Sequence, residues 1–308
     1  MTTITAADVK KLRDMTGAGM MDCKTALTET KGDIEAAVDW LRTKGLSKAA
    51  KKSGRIAADG LIGVVAQGLH GAAVELNSET DFVARNGQFQ DMVRDITSLA
   101  PAANGNLAKL LATTYPGTKN TVETHVKEMV ATIGENMNVR RTAALAVKDG
   151  VVADYVHARV ADGLGKIGVL VALESAGDKP SLFELGRMIA MHVAAASPVA
   201  LDVASVPADV LAREKAILEE KNAGKKPEMM EKIIAGGLKA YAKENCLLEQ
   251  AYVHDSGKTV AQAVKDAEGK CGAAIKLTGF VRYALGEGID KKEEDFGDEV
   301  RKLASGGH

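Results

Sequence analysis

The chain has 308 residues, 46% of them apolar and 26% charged, with 40 Lys and Arg against 41 Asp and Glu for a formal net charge of -1. That balance excludes an overall basic field for wholesale nucleic-acid binding, and the absence of any run of about 18 apolar residues excludes a spanning helix. Cys23, Cys246 and Cys271 lie far apart, without a disulfide framework or a zinc-ligand spacing, so a reducing cytoplasm is expected, and the length allows about two or three compact units.

Residues 5 to 44 carry three short helical patterns. Thr5 can cap a first helix in which Val9, Leu12 and Met15 recur every three residues up to Gly17. Met20, Met21 and Leu27 belong to a second that stops at Gly32. Asp33 caps a third with Ile34, Ala37, Val38 and Leu41, closed by Gly45. The turn Gly17-Ala18-Gly19 permits close approach, and adjacent methionines put at least one thioether outside a narrow core stripe, so this turn is either core filling or an adaptable contact. The basic run Lys48 to Arg55 reads as a solvated linker, with a boundary near residue 54.

From residue 60 the period changes to that of strands. Leu61 to Ala66 and Ala72 to Leu76 predict a hairpin about Gln67 to Gly71. Asn77-Ser78-Glu79-Thr80-Asp81-Phe82-Val83-Ala84-Arg85-Asn86 then lies where strand hands over to helix. Local chemistry there favours Thr80 or Asp81 capping the helix and Phe82 folding inward. A helix with Phe89, Met92, Val93, Ile96 and Leu99 follows, then a second with Val122, Val126, Met129, Val130 and Ile133, and a strand at Ala144 to Val147. The order recurs: Tyr155 to Val160 and Ile167 to Leu173 as a hairpin, a helix with Leu182, Leu185, Met188, Ile189 and His192, and a strand at Leu277 to Tyr283. Two related α+β subdomains with small antiparallel sheets are therefore expected. The second is interrupted by a helical hairpin over residues 208 to 222 and 228 to 244, turned at Gly224-Lys225-Lys226-Pro227 and suited to contact with another chain. A short amphipathic helix with Phe296, Val300 and Leu303 ends the chain.

Catalytic patterns are missing. Gly163-Leu164-Gly165-Lys166-Ile167-Gly168 matches a dinucleotide fingerprint in letters, but it bends between strands instead of opening a helix. Ser256-Gly257-Lys258-Thr259 lacks the first glycine of a phosphate-binding loop, since position 252 is Tyr. The six histidines are scattered, with no metal or nucleophile constellation around them. A binder is expected rather than an enzyme, with no cofactor.

Thr16 to Lys24, Thr80 to Asn86, Gly134 to Arg141, Met191-His192, Lys258-Thr259-Val260 and Thr278 to Arg282 together resemble translation elongation factor Ts, in the same order and over essentially the whole chain. The resemblance implies a ubiquitin-associated-like (UBA-like) three-helix domain at residues 1–54 and core subdomains at 55–149 and at 150–207 with 246–288. It also implies an inserted coiled-coil arm at 208–245 and a C-terminal helical module at 289–308. It implies a bacterial cytoplasmic exchange factor for the GTPase elongation factor Tu, with no direct nucleic-acid or membrane contact, and leaves a homodimer or heterotetramer through the arm open. Thr80, Asp81, Phe82 and Val83 would dislodge the partner's magnesium ion, which turns Phe82 outward as a wedge. Lys10, Arg13, Met20, Met21, Lys52 and His157 would contact the partner. The alternative is a non-exchanging interaction scaffold.

Overall fold

The computed structural model describes residues 4–290, so the C-terminal helix expected around Phe296 lies outside the described residues. Helix punctuation shapes the beginning of the fold. Helix α1 (Ala6–Thr16) opens with a reciprocal capping box between Thr5 and Asp8 and closes at Gly17, whose φ of 66° suits only a residue without Cβ. Helix α2 spans Met20–Glu29, and α3 (Ile34–Lys52) is capped by Asp33. Val9, Leu12, Cys23, Ala26, Leu27 and Ala37 form their shared core, whereas Met15, which the apolar repeat placed there, is exposed. Gly45 does not end the third helix. It lies where α3 meets a later helix, and a Cβ there would sit 3.0 Å from that of Ala131. Lys48 to Lys52 of the basic run expected as a linker are therefore the last turns of α3, where cations suit the negative end of the helix dipole, and only Ser53 to Arg55 lie beyond the helix.

The first core unit follows. Strands β1 (Asp59–Gln67) and β2 (His70–Ser78) pair antiparallel about a two-residue turn with Gly68 at φ 60°, tighter than the expected loop. A single-turn helix α4 (Asp81–Ala84) leads to α5 (Gly87–Ala103), α6 (Leu107–Ala112) and α7 (Val122–Ile133). Strand β3 (Met137–Ala146) returns beside β2. It starts seven residues before the strand read from the sequence, because Arg140 and Arg141 break the apolar alternation there; both meet Glu75 on the neighbouring strand.

The second unit repeats this order. Strands β4 (Gly150–His157) and β6 (Ile167–Glu174) form the hairpin, and the two-residue β5 (Leu164–Gly165) in its loop joins β1 of the first sheet. Helix α8 (Lys179–Ala196), the inserted pair α9 (Ala208–Lys221) and α10 (Pro227–Asn245), a small hairpin β7 (Ala251–Tyr252) and β8 (Asp255–Thr259), helix α11 (Val260–Cys271) and β9 (Lys276–Ala284) complete it. The sheets run β3-β2-β1-β5 and β4-β6-β9, so in both the third strand pairs with the second strand of the hairpin. The match extends to irregularities: bulges fall at Glu75/Leu76 and Ala172/Leu173, and glycines with positive φ, Gly60 and Gly150, pair with the residue that follows each, Asn77 and Glu174.

The fold is thus α+β, with two antiparallel sheets face to face and helices on their outer sides. Ile62, Val64 and Ala73 meet Val152, Leu170 and Ala172 between the sheets. Phe89, Met92, Val93 and Ile96 of α5 cover Leu61, Val74 and Leu76, while Leu182, Ile189 and Val193 of α8 cover Val169, Val171 and Leu173. The fingerprint-like segment Gly163 to Gly168 bends between strands, as its sequence context implied. Neither inserted helix lies down on the core: α9 buries no residue and α10 only Ala242, near its root.

That root is fastened by a buried polar relay. His192 Nε2 lies 2.9 Å from Gln250 Oε1 and its Nδ1 accepts the Val253 N–H at 3.2 Å, so the imidazole is neutral with its proton on Nε2. Gln250 in turn donates to the Glu244 carbonyl of α10 at 2.8 Å. Burial lowers the His192 pKa, with Gln250 opposing and His254 assisting. The unfolded chain therefore binds a proton more readily, and stability is complete above the ordinary value of 6.5 and declines as pH falls below it. Thermal unfolding midpoints should drop between pH 7.5 and pH 5.5, roughly across the His titration range, and His192→Gln should flatten that slope while lowering the midpoint at pH 7.5. His125, lowered mainly by its own burial, leaves a residual slope in the variant.

Candidate functional site

The corner between β2 and α5 is held from both sides. Asn86 Oδ1 accepts the Phe89 N–H and so caps α5; Thr80 stands at the N-cap position of α4 but makes no side-chain cap bond, and Asp81 caps neither. Both residues are otherwise engaged. The Thr80 hydroxyl donates to Glu135 Oε1 at 2.7 Å and its N–H to Glu135 Oε2 at 2.9 Å. Asp81 accepts from Arg85 at 2.8 Å on the surface, a pair that a competing partner can displace at a cost of about 0.5 kcal/mol.

Phe82 does not fold inward. Its side chain is 75% exposed, while Val83 and Ala84, the next two residues, are buried against the first core. A one-turn helix with those two facing in must present the residue before them outward. The bland reading of local chemistry therefore fails, because helix periodicity within four residues leaves room for only one inward face.

The turn after α7 is the counterpart of this corner. Gly134 ends the helix at φ 93°, and its carbonyl accepts from Lys52 Nζ. Glu135 holds Thr80, the Asn136 N–H donates to Glu79, and Asn136 Nδ2 donates to the Arg55 carbonyl at 2.7 Å. Three distant segments thus meet at the corner: the end of α3, the end of β2 and the start of β3. Gly134 to Arg141 stands out in the sequence as a motif, but nothing near Glu79, Glu135 or Asn136 in the chain points to their partners. A polar pair just after a helix-stopping glycine was the available signal, but its target lies 55 residues away. Glu135→Ala should strand two partly buried donors of Thr80, lowering stability by about 1–3 kcal/mol. Chemical denaturation should show that loss, and proteolysis should find the corner more readily cut.

The other expected contact residues are scattered over several elements. Lys10 and Arg13 are exposed on α1, and Met20 and Met21 are 58% and 72% exposed on the first turn of α2, so both thioethers are outside the core. Lys52 is half-buried and already bound to Gly134. His157 is exposed at the end of β4, with Nδ1 3.2 Å from the Tyr155 hydroxyl. The bundle is joined to α7 by Arg42, which pairs with Glu128 at 3.1 Å and donates to Asn120 at 2.7 Å.

Among the described residues there is no cluster of three or more His, Cys, Asp or Glu side chains that could hold a metal ion, and no helix long and apolar enough to cross a membrane. Burial raises the pKa of all three cysteine thiols, which opposes thiolate chemistry.

Comparison with known proteins bears on the same segments. Residues 79–287 match the model of a family described as Elongation factor TS. Elongation factor Ts of Methylobacterium nodulans is 60% identical, covering 99% of this chain and 100% of its own. The protein of that name from Methylobacterium sp. strain 4-46 is 59% identical over the same shares. That of Bradyrhizobium diazoefficiens is 59% identical over 97% of this chain and 98% of its own.

Proposed function

The chain belongs to the elongation factor Ts family, a family of translation elongation factors, and on that footing we propose that it promotes GDP release from elongation factor Tu. The observation that carries the proposal is Phe82, a large apolar side chain left 75% exposed on a corner that is locked from two sides. Burying such a ring stabilises a complex by about 1.5–3 kcal/mol, a large share of the roughly 4 kcal/mol that a thousandfold loss of GDP affinity requires.

The chain makes and breaks no covalent bond in this scheme. Of the four residues expected to act on the GTPase, Phe82 and Asp81 enter it near its nucleotide, while Val83, buried in the first core, and Thr80, held by Glu135, support them from behind. Phe82 separates packed elements and Asp81, released from Arg85, disturbs the magnesium region. The ion demands near-octahedral ligands, so a small displacement of them weakens the nucleotide. By linkage, the factor binds the nucleotide-free GTPase better to the same degree that GDP weakens factor binding. GTP then reloads the emptied site.

Around the corner, the UBA-like bundle supplies Lys10, Arg13, Met20 and Met21 to the GTP-binding domain, and His157 faces a further domain of the GTPase. Lys52 contributes by fastening α3 beneath the corner. The inserted helices act as a coiled-coil arm free to meet a second chain, and the protein works in the bacterial cytoplasm. Release of a fluorescent GDP analogue from elongation factor Tu is the test: adding the wild-type chain should accelerate it, and an unchanged rate overturns the proposal.

A further inference from the structure

We propose that Glu75 is a positioning residue for the corner at Thr80 to Ala84, acting from the interior of β2; the inference rests on the exchange function proposed above. On the face of β2 that carries Ala73 toward the second sheet, the next position is this carboxylate, and it is wholly buried. Its oxygens are fully engaged. Oε1 accepts from the Gly286 N–H at 2.9 Å, from Asn77 Nδ2 at 3.0 Å and from Arg140 at 3.1 Å; Oε2 accepts from Arg140 at 3.2 Å and from Arg141 Nε. Burial pushes the carboxyl pKa up, but the Gly286 amide, Asn77 and Arg141 together hold it below the ordinary value, so the group is ionised.

The two arginines carry the node onward. Arg140 donates to the Glu287 carbonyl at 2.7 Å, in the turn after β9, and Arg141 to the carbonyl of Ala284, the last residue of β9, at 3.0 Å. Glu75 thereby ties β2, β3 and the end of β9 at one point. That point is the bulge at Glu75/Leu76, where register between β2 and β3 shifts and the strand would otherwise be free to twist. Buried ion clusters give no stability advantage over apolar packing of similar volume, and their best-attested use is to select one register.

The node reaches the corner through the end of the hairpin. Asn77 Nδ2, held by Glu75, also donates to the Asp59 carbonyl at 3.1 Å, and Asp59 is the β1 residue paired with Ser78, the neighbour of Asn77; the Ser78 hydroxyl donates to the Thr80 carbonyl at 3.0 Å, and Thr80 is held by Glu135. With Glu75 neutralised, the bulge loses its pin and the strand end that presents Phe82 loses its fixed direction. Nothing else about Phe82 changes. The expected defect is in the release step, not in encounter with the partner.

The test uses the full chain. GDP release is followed across factor concentrations for wild type and Glu75→Gln, alongside amide exchange at Thr80. The variant should lower the rate at saturation by about fivefold or more, keep the half-saturating concentration within about twofold, and speed exchange at Thr80. A wild-type rate, or unchanged exchange at Thr80, in a folded Glu75→Gln overturns the positioning role. Failure of wild type to accelerate release instead overturns the exchange function, and exchange at Thr80 still reads the positioning independently. Should Glu75→Gln not fold, Arg141→Lys keeps a positive charge beside Glu75 but loses the planar fork that spans Glu75 and the Ala284 carbonyl. It should shift both readouts the same way by less, and wild-type values in that folded variant overturn the proposal.

Discussion

Phe82→Ala is expected to slow factor-stimulated GDP release by about 10- to 160-fold at saturating factor, the range that about 1.5–3 kcal/mol of lost ring burial spans. The melting temperature should stay within about 1 °C of wild type, because an exposed side chain away from special geometry contributes little to folding. Affinity for the nucleotide-free GTPase should fall while affinity for the GDP complex changes less, since a wedge is used only after the nucleotide site begins to open. Stopped-flow release and titration calorimetry separate these quantities. A variant that weakens encounter and leaves the saturated rate intact would make Phe82 an ordinary contact residue. Asp81→Ala should follow the same pattern at smaller size, because its surface pair with Arg85 holds it only weakly.

Gly150→Ala should destabilise the fold by about 3 kcal/mol or more, combining left-handed backbone strain with a steric clash. Gly150 has φ 148°, and a Cβ there would lie 1.9 Å from the Leu173 carbonyl oxygen. The collision is with backbone inside a paired strand, so no side-chain rotation relieves it. Gly60 stands at the equivalent place in the first sheet, with φ 119° and a Cβ that would lie 2.2 Å from the Leu76 carbonyl oxygen. Gly60→Ala should therefore cost a similar amount, and a large difference between the two in urea denaturation would argue against their equivalence. Gly236 provides the control. It lies within α10 with nothing within 4 Å of a built Cβ, so Gly236→Ala should stabilise by about 0.5–1 kcal/mol through helix propensity. At its neighbour Gly237 a Cβ would lie 2.4 Å from Leu218 Cδ1, so the same change there requires the leucine side chain to move and should gain less.

Much of the chain could be read in one dimension because its signals are local. Thr5 and Asp33 cap the helices assigned to them, and Gly17 and Gly32 take the left-handed conformations expected of helix stops. The two inserted helices fell within a residue or so of their expected limits, since Pro227 and Gly224 punctuate them without help from distant residues. Errors arose where tertiary contact overrode a local preference. Gly45 looked like a stop but is a packing site against Ala131, and Met15 fitted an apolar repeat but faces outward. Arg140 and Arg141 hid the first half of β3, because two charges in a strand make sense only once Glu75 is opposite them.

The corner itself divides in the same way. Its place between a strand and a helix followed from alternation ending at Leu76 and a helical period beginning at Phe89, both properties of neighbouring residues. Sequence also determined the duplicated hairpin-helix-strand order, the inserted helical pair and, through its motifs, the family. Phe82 points outward as the family resemblance implied and against the local preference for an inward ring; only the tertiary structure decided that Asn86 rather than Thr80 caps α5, and that Glu135, Asn136 and Glu75 hold the corner in place. The physical reason is distance along the chain. Capping and periodicity act within about four residues, whereas the bonds that aim Phe82 join β2 to segments 55 to 211 residues away, and such pairings exist only after both sheets have formed.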